Sequence, residues 1–127
     1  MVVRISEYTA AGCSNHGRYA ANPQYFLELP EPSTVLVRLM PLGDPAPAIN
    51  VSVFALRGGG EVVSSSDAIA SSGTYTNAPY GVVVPPRDLE AGSYAVVPST
   101  FDPQDGDFML LVFASCARAS LALSARA

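Results

Sequence analysis

Residues 90–113 read EAGSYAVVPSTFDPQDGDFMLLVF. Two alternating runs, Gly92 to Pro98 and Asp107 to Phe113, flank a loop that carries Asp102, Asp105 and Asp107. Successive side chains of a strand point to opposite faces, so alternation over a short run indicates strand with one buried side. Between the runs, Asp105 and Gly106 predict a tight hairpin turn, because glycine takes positive φ freely and aspartate tolerates it. The stretch is therefore read as strand, crossing segment, turn and strand.

The same pattern recurs outward in both directions. Gln24 to Pro30 sets Tyr25, Leu27 and Leu29 on one face, with Gln24, Phe26 and Glu28 on the other. Ser33 to Met40 aligns Val35, Val37 and Leu39, and Ile49 to Leu56 aligns Ile49, Val51, Val53 and Ala55. Shorter runs follow at Glu61 to Ser64 and Gly81 to Val84, and the last lies at Ala119 to Arg126. Helix has support only as a single turn around Ser66 to Ser71. The Ser/Ala/Thr/Gly-rich segment Ser64 to Pro79 reads as a mobile surface loop. Many short strands between Pro/Gly turns predict an all-β chain, an antiparallel two-sheet β-sandwich of about eight strands spanning 1–127 as a single domain. Val37, Val51, Val53, Tyr94, Val96, Phe108, Leu110 and Val112 form the expected core.

Composition sets the outer bounds. The chain has 127 residues, 49% of them hydrophobic and 14% charged, which fits a globular domain and not a disordered one. All seven basic residues are arginines, spread singly, and the net charge is −4. Nucleic-acid binding needs clustered cations to displace counterions, so no nucleic-acid partner is expected. The first residues, MVVRISEY, alternate like a strand and lack the apolar core of a secretory signal. Cys13 and Cys116 lie near opposite ends of the chain and are read as free thiols of a cytoplasmic protein.

Three groups of residues could carry chemistry. Cys13, Asn15 and His16 have the residue types of a cysteine protease, but four neighbouring residues of a turn cannot surround one substrate. No catalytic residue is assigned. Asp102, Asp105 and Asp107 are the candidate calcium ligands, set against the simpler reading as a turn. Calcium takes six to eight oxygens, and these carboxylates supply too few for more than weak binding. No other cofactor is expected. Tyr75, Asn77 and Tyr80 form the candidate partner-binding patch, since exposed aromatic residues favour interfaces, set against the simpler reading that the tyrosines cap the ends of the sandwich.

Three stretches also resemble a known family. Residues 9–29, TAAGCSNHGRYAANPQYFLEL, keep Gly12, Cys13, Asn15, Asn22, Pro23 and Gln24 of the opening of calpain domain III, with Ala11 at a glycine position. Val-Pro-Ser-Thr-Phe, an acidic-Gly segment and an aromatic-led strand, within Leu89 to Phe113, are similar to a later part of that domain. Gly73 to Asn77 followed by Gly81 to Pro86 is most similar to PalB-type calpains, which lack the EF-hand domain of conventional calpains. The resemblance implies a C2-like sandwich and a non-catalytic regulatory or protein-interaction domain of a calpain-like cysteine protease. It further implies that the domain positions or targets the protease core of the parent chain, and that endosomal sorting proteins are partners. The alternative it implies is a calcium- and phospholipid-binding C2-type module directed to a membrane. The acidic run of conventional calpain domain III is absent, which favours the first reading.

Overall fold

Each predicted alternation that lies in the described residues becomes a strand, and the pairing of the strands decides how they stack. The computed structural model describes residues 2–10, 24–42, 48–56, 67–101 and 104–123, and for 2–10, 104–107 and 123 it describes the backbone. The described strands are β1 (Val2–Ala10), β2 (Tyr25–Leu29), β3 (Ser33–Pro41), β4 (Ile49–Ala55), β5 (Ala70–Ser71), β6 (Val82–Leu89), β7 (Gly92–Thr100), β8 (Gln104–Ala114) and β9 (Ser120–Leu123). They form a four-stranded sheet in the order β1-β8-β3-β6 and a five-stranded sheet in the order β5-β4-β7-β2-β9. All pairings are antiparallel. The expected Glu61 to Ser64 strand lies outside the described residues.

One shared core joins the two sheets. Val35, Val37, Leu39, Val84, Leu89, Phe108, Leu110 and Val112 come from the four-stranded sheet. Tyr25, Leu27, Leu29, Ile49, Val51, Val53, Tyr94 and Val96 face them from the five-stranded sheet. All eight residues expected in the core are buried. Two inward faces packing about 10 Å apart are what defines a sandwich.

The hairpin expected at Asp105-Gly106 is not formed. β7 and β8 belong to different sheets, and the chain passes from one to the other between Thr100 and Gln104. Gly106 lies within β8, paired with Tyr8 of β1. Local turn chemistry was overridden because β1 offers β8 a ladder partner from the far end of the chain. Of the helical turn expected around Ser66 to Ser71, a 3-10 position is kept at Asp67 while its end becomes strand. Ala70 and Ser71 form β5 against Ser52 and Val53.

Residues 67–79 are held at many points and do not behave as a free surface loop. Asn50 Nδ2 donates to Gly73 O at 2.7 Å and to Ser71 Oγ at 3.0 Å. Ser52 Oγ donates to Asn50 Oδ1 at 2.9 Å, and Ile49 and Thr76 exchange backbone bonds of 3.0 and 3.1 Å. These buried polar side chains on the outer side of β4 need partners, and the serine-rich segment supplies them. Phe54, Ala95 and Val97 are buried on that same side, against Leu56 and Ala68.

Prolines mark where pairing is interrupted. β6 is an edge strand, and its register with β3 shifts between Val35 and Val37, opposite Pro85 and Pro86. Proline has no N–H to donate, so a bulged edge accommodates the pair and lets β6 run on to Leu89. Ser33 closes the start of β3. Its hydroxyl accepts from Cys116 N at 3.0 Å and lies 3.2 Å from Ser115 Oγ, while Ser115 Oγ accepts from Thr34 N at 2.9 Å. Cys116 is a buried free thiol, and Cys13 lies outside the described residues.

Two outcomes follow from this core. Leu110→Ala removes a fully buried side chain from the centre of β8 and should cost about 2–5 kcal/mol in a urea melt. Burial raises the Tyr25 phenol above its ordinary value of 10.0. The unfolded chain then releases this proton first, so the stabilisation is complete below pH ~10 and is lost as pH rises through the folded value. Tyr25→Phe should flatten the alkaline fall of stability, read by denaturant melts across that range.

Candidate interaction surface

The outward side of the four-stranded sheet departs from the usual pattern. An antiparallel sheet in a sandwich commonly turns polar side chains to water on its outer face. Here alternation turns Val35, Val37 and Leu39 of β3 inward, and leaves Leu36, Arg38 and Met40 outward. Register sets Leu36 opposite Phe113 and Met40 opposite Met109. Arg38 lies between Leu111 of β8 and Val83 of β6. The four neighbours of Arg38 along and across the strands are therefore all apolar. Phe113 is 51% exposed and Val83 42%, so large apolar side chains remain in water.

A turn builds one wall of this surface. Gly81 N donates to Ala78 O at 3.0 Å, closing residues 78–81 just before β6. The turn lifts Tyr80 to 81% exposure and lays its backbone on Arg38, whose Nη2 donates to Tyr80 O at 3.0 Å. Gly81 has φ +85°, and a Cβ there would run into the Leu39 carbonyl oxygen and lie 2.9 Å from Met40 Cα. Only glycine satisfies both the left-handed backbone and this close approach. Leu36, Arg38, Tyr80, Gly81, Val83 and Phe113 together line an open groove of about 420 Å³.

The residues singled out in the sequence fall in different places. Tyr80 lines the groove. Tyr75 is half-buried, with its hydroxyl 2.6 Å from Ser99 Oγ and its ring edge-on to Phe101 at 5.7 Å and 73°. Asn77 is exposed. Asp102 lies outside the described residues; Asp105 is in β8 opposite Thr9, and Asp107 falls where the β1–β8 register shifts. Cys13, Asn15 and His16 lie outside the described residues. Arg38, Val83 and Phe113 went unread, although one sign was available. Leu36 and Met40, and Met109, Leu111 and Phe113, are apolar at the positions that alternation assigns to the outer face.

The turn is testable without reference to any ligand. Gly81→Ala should lower stability by about 1–3 kcal/mol through backbone strain and the approach to β3. Tyr80→Ser, at an exposed side chain, should stay within about 0.5 kcal/mol of the parent. Chemical denaturation of both variants measures the difference.

Comparison with known proteins gives this surface its setting. Residues 55–113 match the family described as calpain large subunit, domain III. Over 113 residues the chain is 30% identical to the calpain-like protease palB/RIM13 of Cryptococcus neoformans, covering 88% of this chain and 13% of that protein. It is 38% identical over 107 residues to the calpain-like protease palB of Emericella nidulans, and 40% identical over 106 residues to palB/RIM13 of Aspergillus oryzae. Each of those matches covers 82% of this chain and 12% of the relative. The chain thus spans about one eighth of the length of these relatives. Motif order, the two-sheet architecture and these matches converge: the chain is a calpain domain III-type β-sandwich, similar to part of the PalB-type calpain-like proteases.

Proposed function

We propose that this sandwich is a non-catalytic regulatory and protein-interaction domain of a calpain-like cysteine protease, acting in the cytoplasm to position or target the protease core. The observation that carries the reading is the outer face of the four-stranded sheet, where Phe113, Val83 and Tyr80 stand in water around Arg38. Apolar side chains grouped on one exposed face favour contact with another protein surface. Its similarity to a short part of proteins named as proteases supports a role that serves a larger polypeptide. The core of the parent chain and proteins of the endosomal sorting machinery are the partners this reading assigns.

The test uses the full-length gene product beside a version lacking these residues. The isolated chain should not hydrolyse casein. Removing the domain from the full-length protein should lower peptidase turnover or displace the protein from its partners. Unchanged turnover, location and partner set after removal would overturn the proposal.

A further inference from the structure

We infer that the groove around Arg38 is a docking site for a protein segment that presents a carboxylate flanked by large apolar side chains. This rests on the reading of the domain as an interaction module and names the chemistry that it recognises. Among the described residues the Arg38 side chain makes one hydrogen bond, to Tyr80 O, and no carboxylate pairs with it. A guanidinium has five N–H donors in a fixed fork, and a carboxylate fits that fork with two parallel bonds. The bond to the Tyr80 backbone already holds one arm of the fork, so less side-chain freedom is lost when a ligand arrives.

The surroundings set the rest of the ligand. Leu36, Met40, Leu111 and Val83 are the strand neighbours of Arg38, with Phe113 and Tyr80 beyond them. A carboxylate can reach Arg38 only by bringing its own neighbours against these apolar side chains. An extended segment with apolar, acidic and apolar residues at alternate positions meets that requirement, because every second side chain points the same way. Binding goes through the face and not by strand addition at β6. Pro85 and Pro86 lack N–H groups and sit where the register shifts, so that edge does not offer the regular ladder a docking strand needs.

Two other occupants fit less well. A second copy packed face to face about a twofold axis would bring Arg38 toward its own image in an apolar setting, with no described carboxylate to separate the charges. An anionic membrane calls for several clustered cations, whereas the described groove holds one and the chain carries a net charge of −4.

The probe is the peptide acetyl-Phe-Ser-Asp-Ser-Leu-amide, with the same peptide carrying Asn in place of Asp as its comparison. Both are titrated into the isotopically labelled chain and followed by amide shifts. The acidic peptide should move the Leu36, Arg38, Tyr80 and Phe113 signals with a dissociation constant on the order of 1 mM. The Asn peptide should bind about tenfold more weakly, the loss of one charge-assisted pair. Arg38→Gln should erase the difference between the peptides, and Phe113→Ser should weaken both, with the remaining spectrum showing each variant folded. Equal binding of the two peptides, shifts that map elsewhere, or no shifts at several times that concentration would overturn the inference. So would Arg38-dependent sedimentation with phosphatidylserine-containing vesicles in the absence of any peptide shift, which would assign the groove to a membrane. A failed titration beside a functional loss on removing the domain would reject the groove and leave the broader role standing.

Discussion

Passage of the chain from one sheet to the other between Thr100 and Gln104 is the constraint on which this sandwich depends. β7 ends in the five-stranded sheet, between β4 and β2, and β8 begins in the four-stranded sheet, between β1 and β3. A short covalent link therefore ties together an interior strand of each layer. Phe101 N donates to Ala48 O at 2.8 Å and fastens the crossing to the start of β4. With both strands placed, Val96 and Leu110 lose all exposure, and the other core residues gather around them. Loss of either side chain would leave a void that close-packed neighbours cannot refill.

The margins are closed by polar contacts. At the β6 side, the Arg87 guanidinium donates to the Ile69 carbonyl, linking an edge of the four-stranded sheet to the segment before β5. At the start of β3, the Ser33 hydroxyl serves the Cys116 amide, so the turn after β8 stays attached once the ladder has ended. These bonds contribute less than the core, yet leaving the buried amide of Cys116 without a partner would cost about 1–3 kcal/mol.

The two outer faces have opposite characters, and that contrast is where function enters. Beside β4 and β7 the outer side is buried: Phe54, Ala95 and Val97 are covered, and Asn50 and Ser52 are hydrogen-bonded to the serine-rich segment. On the four-stranded sheet, apolar side chains stay in water around one arginine. The apolar area left in water there adds little to the stability of the isolated chain. The proposed contact with another protein surface draws on this composition.

The sequence by itself determined the strand runs and their inward faces, because period-2 alternation is a local property that burial then enforces. Tyr25, Leu27 and Leu29, or Val35, Val37 and Leu39, could be assigned to the core from spacing alone, and the motif order pointed to calpain domain III. Tertiary structure decided what spacing cannot encode. Asp105-Gly106 has the chemistry of a hairpin, yet it was drawn into β8 because β1, about a hundred residues away in sequence, pairs with it. Ala70 and Ser71 became strand because β4 had an unpaired side and polar groups to satisfy. The Arg38 groove assembles from β3, β6, β8 and the turn at 78–81, segments far apart in the chain. Alternation names the side of a strand on which a residue lies; only the pairing of strands determines which residues become its neighbours.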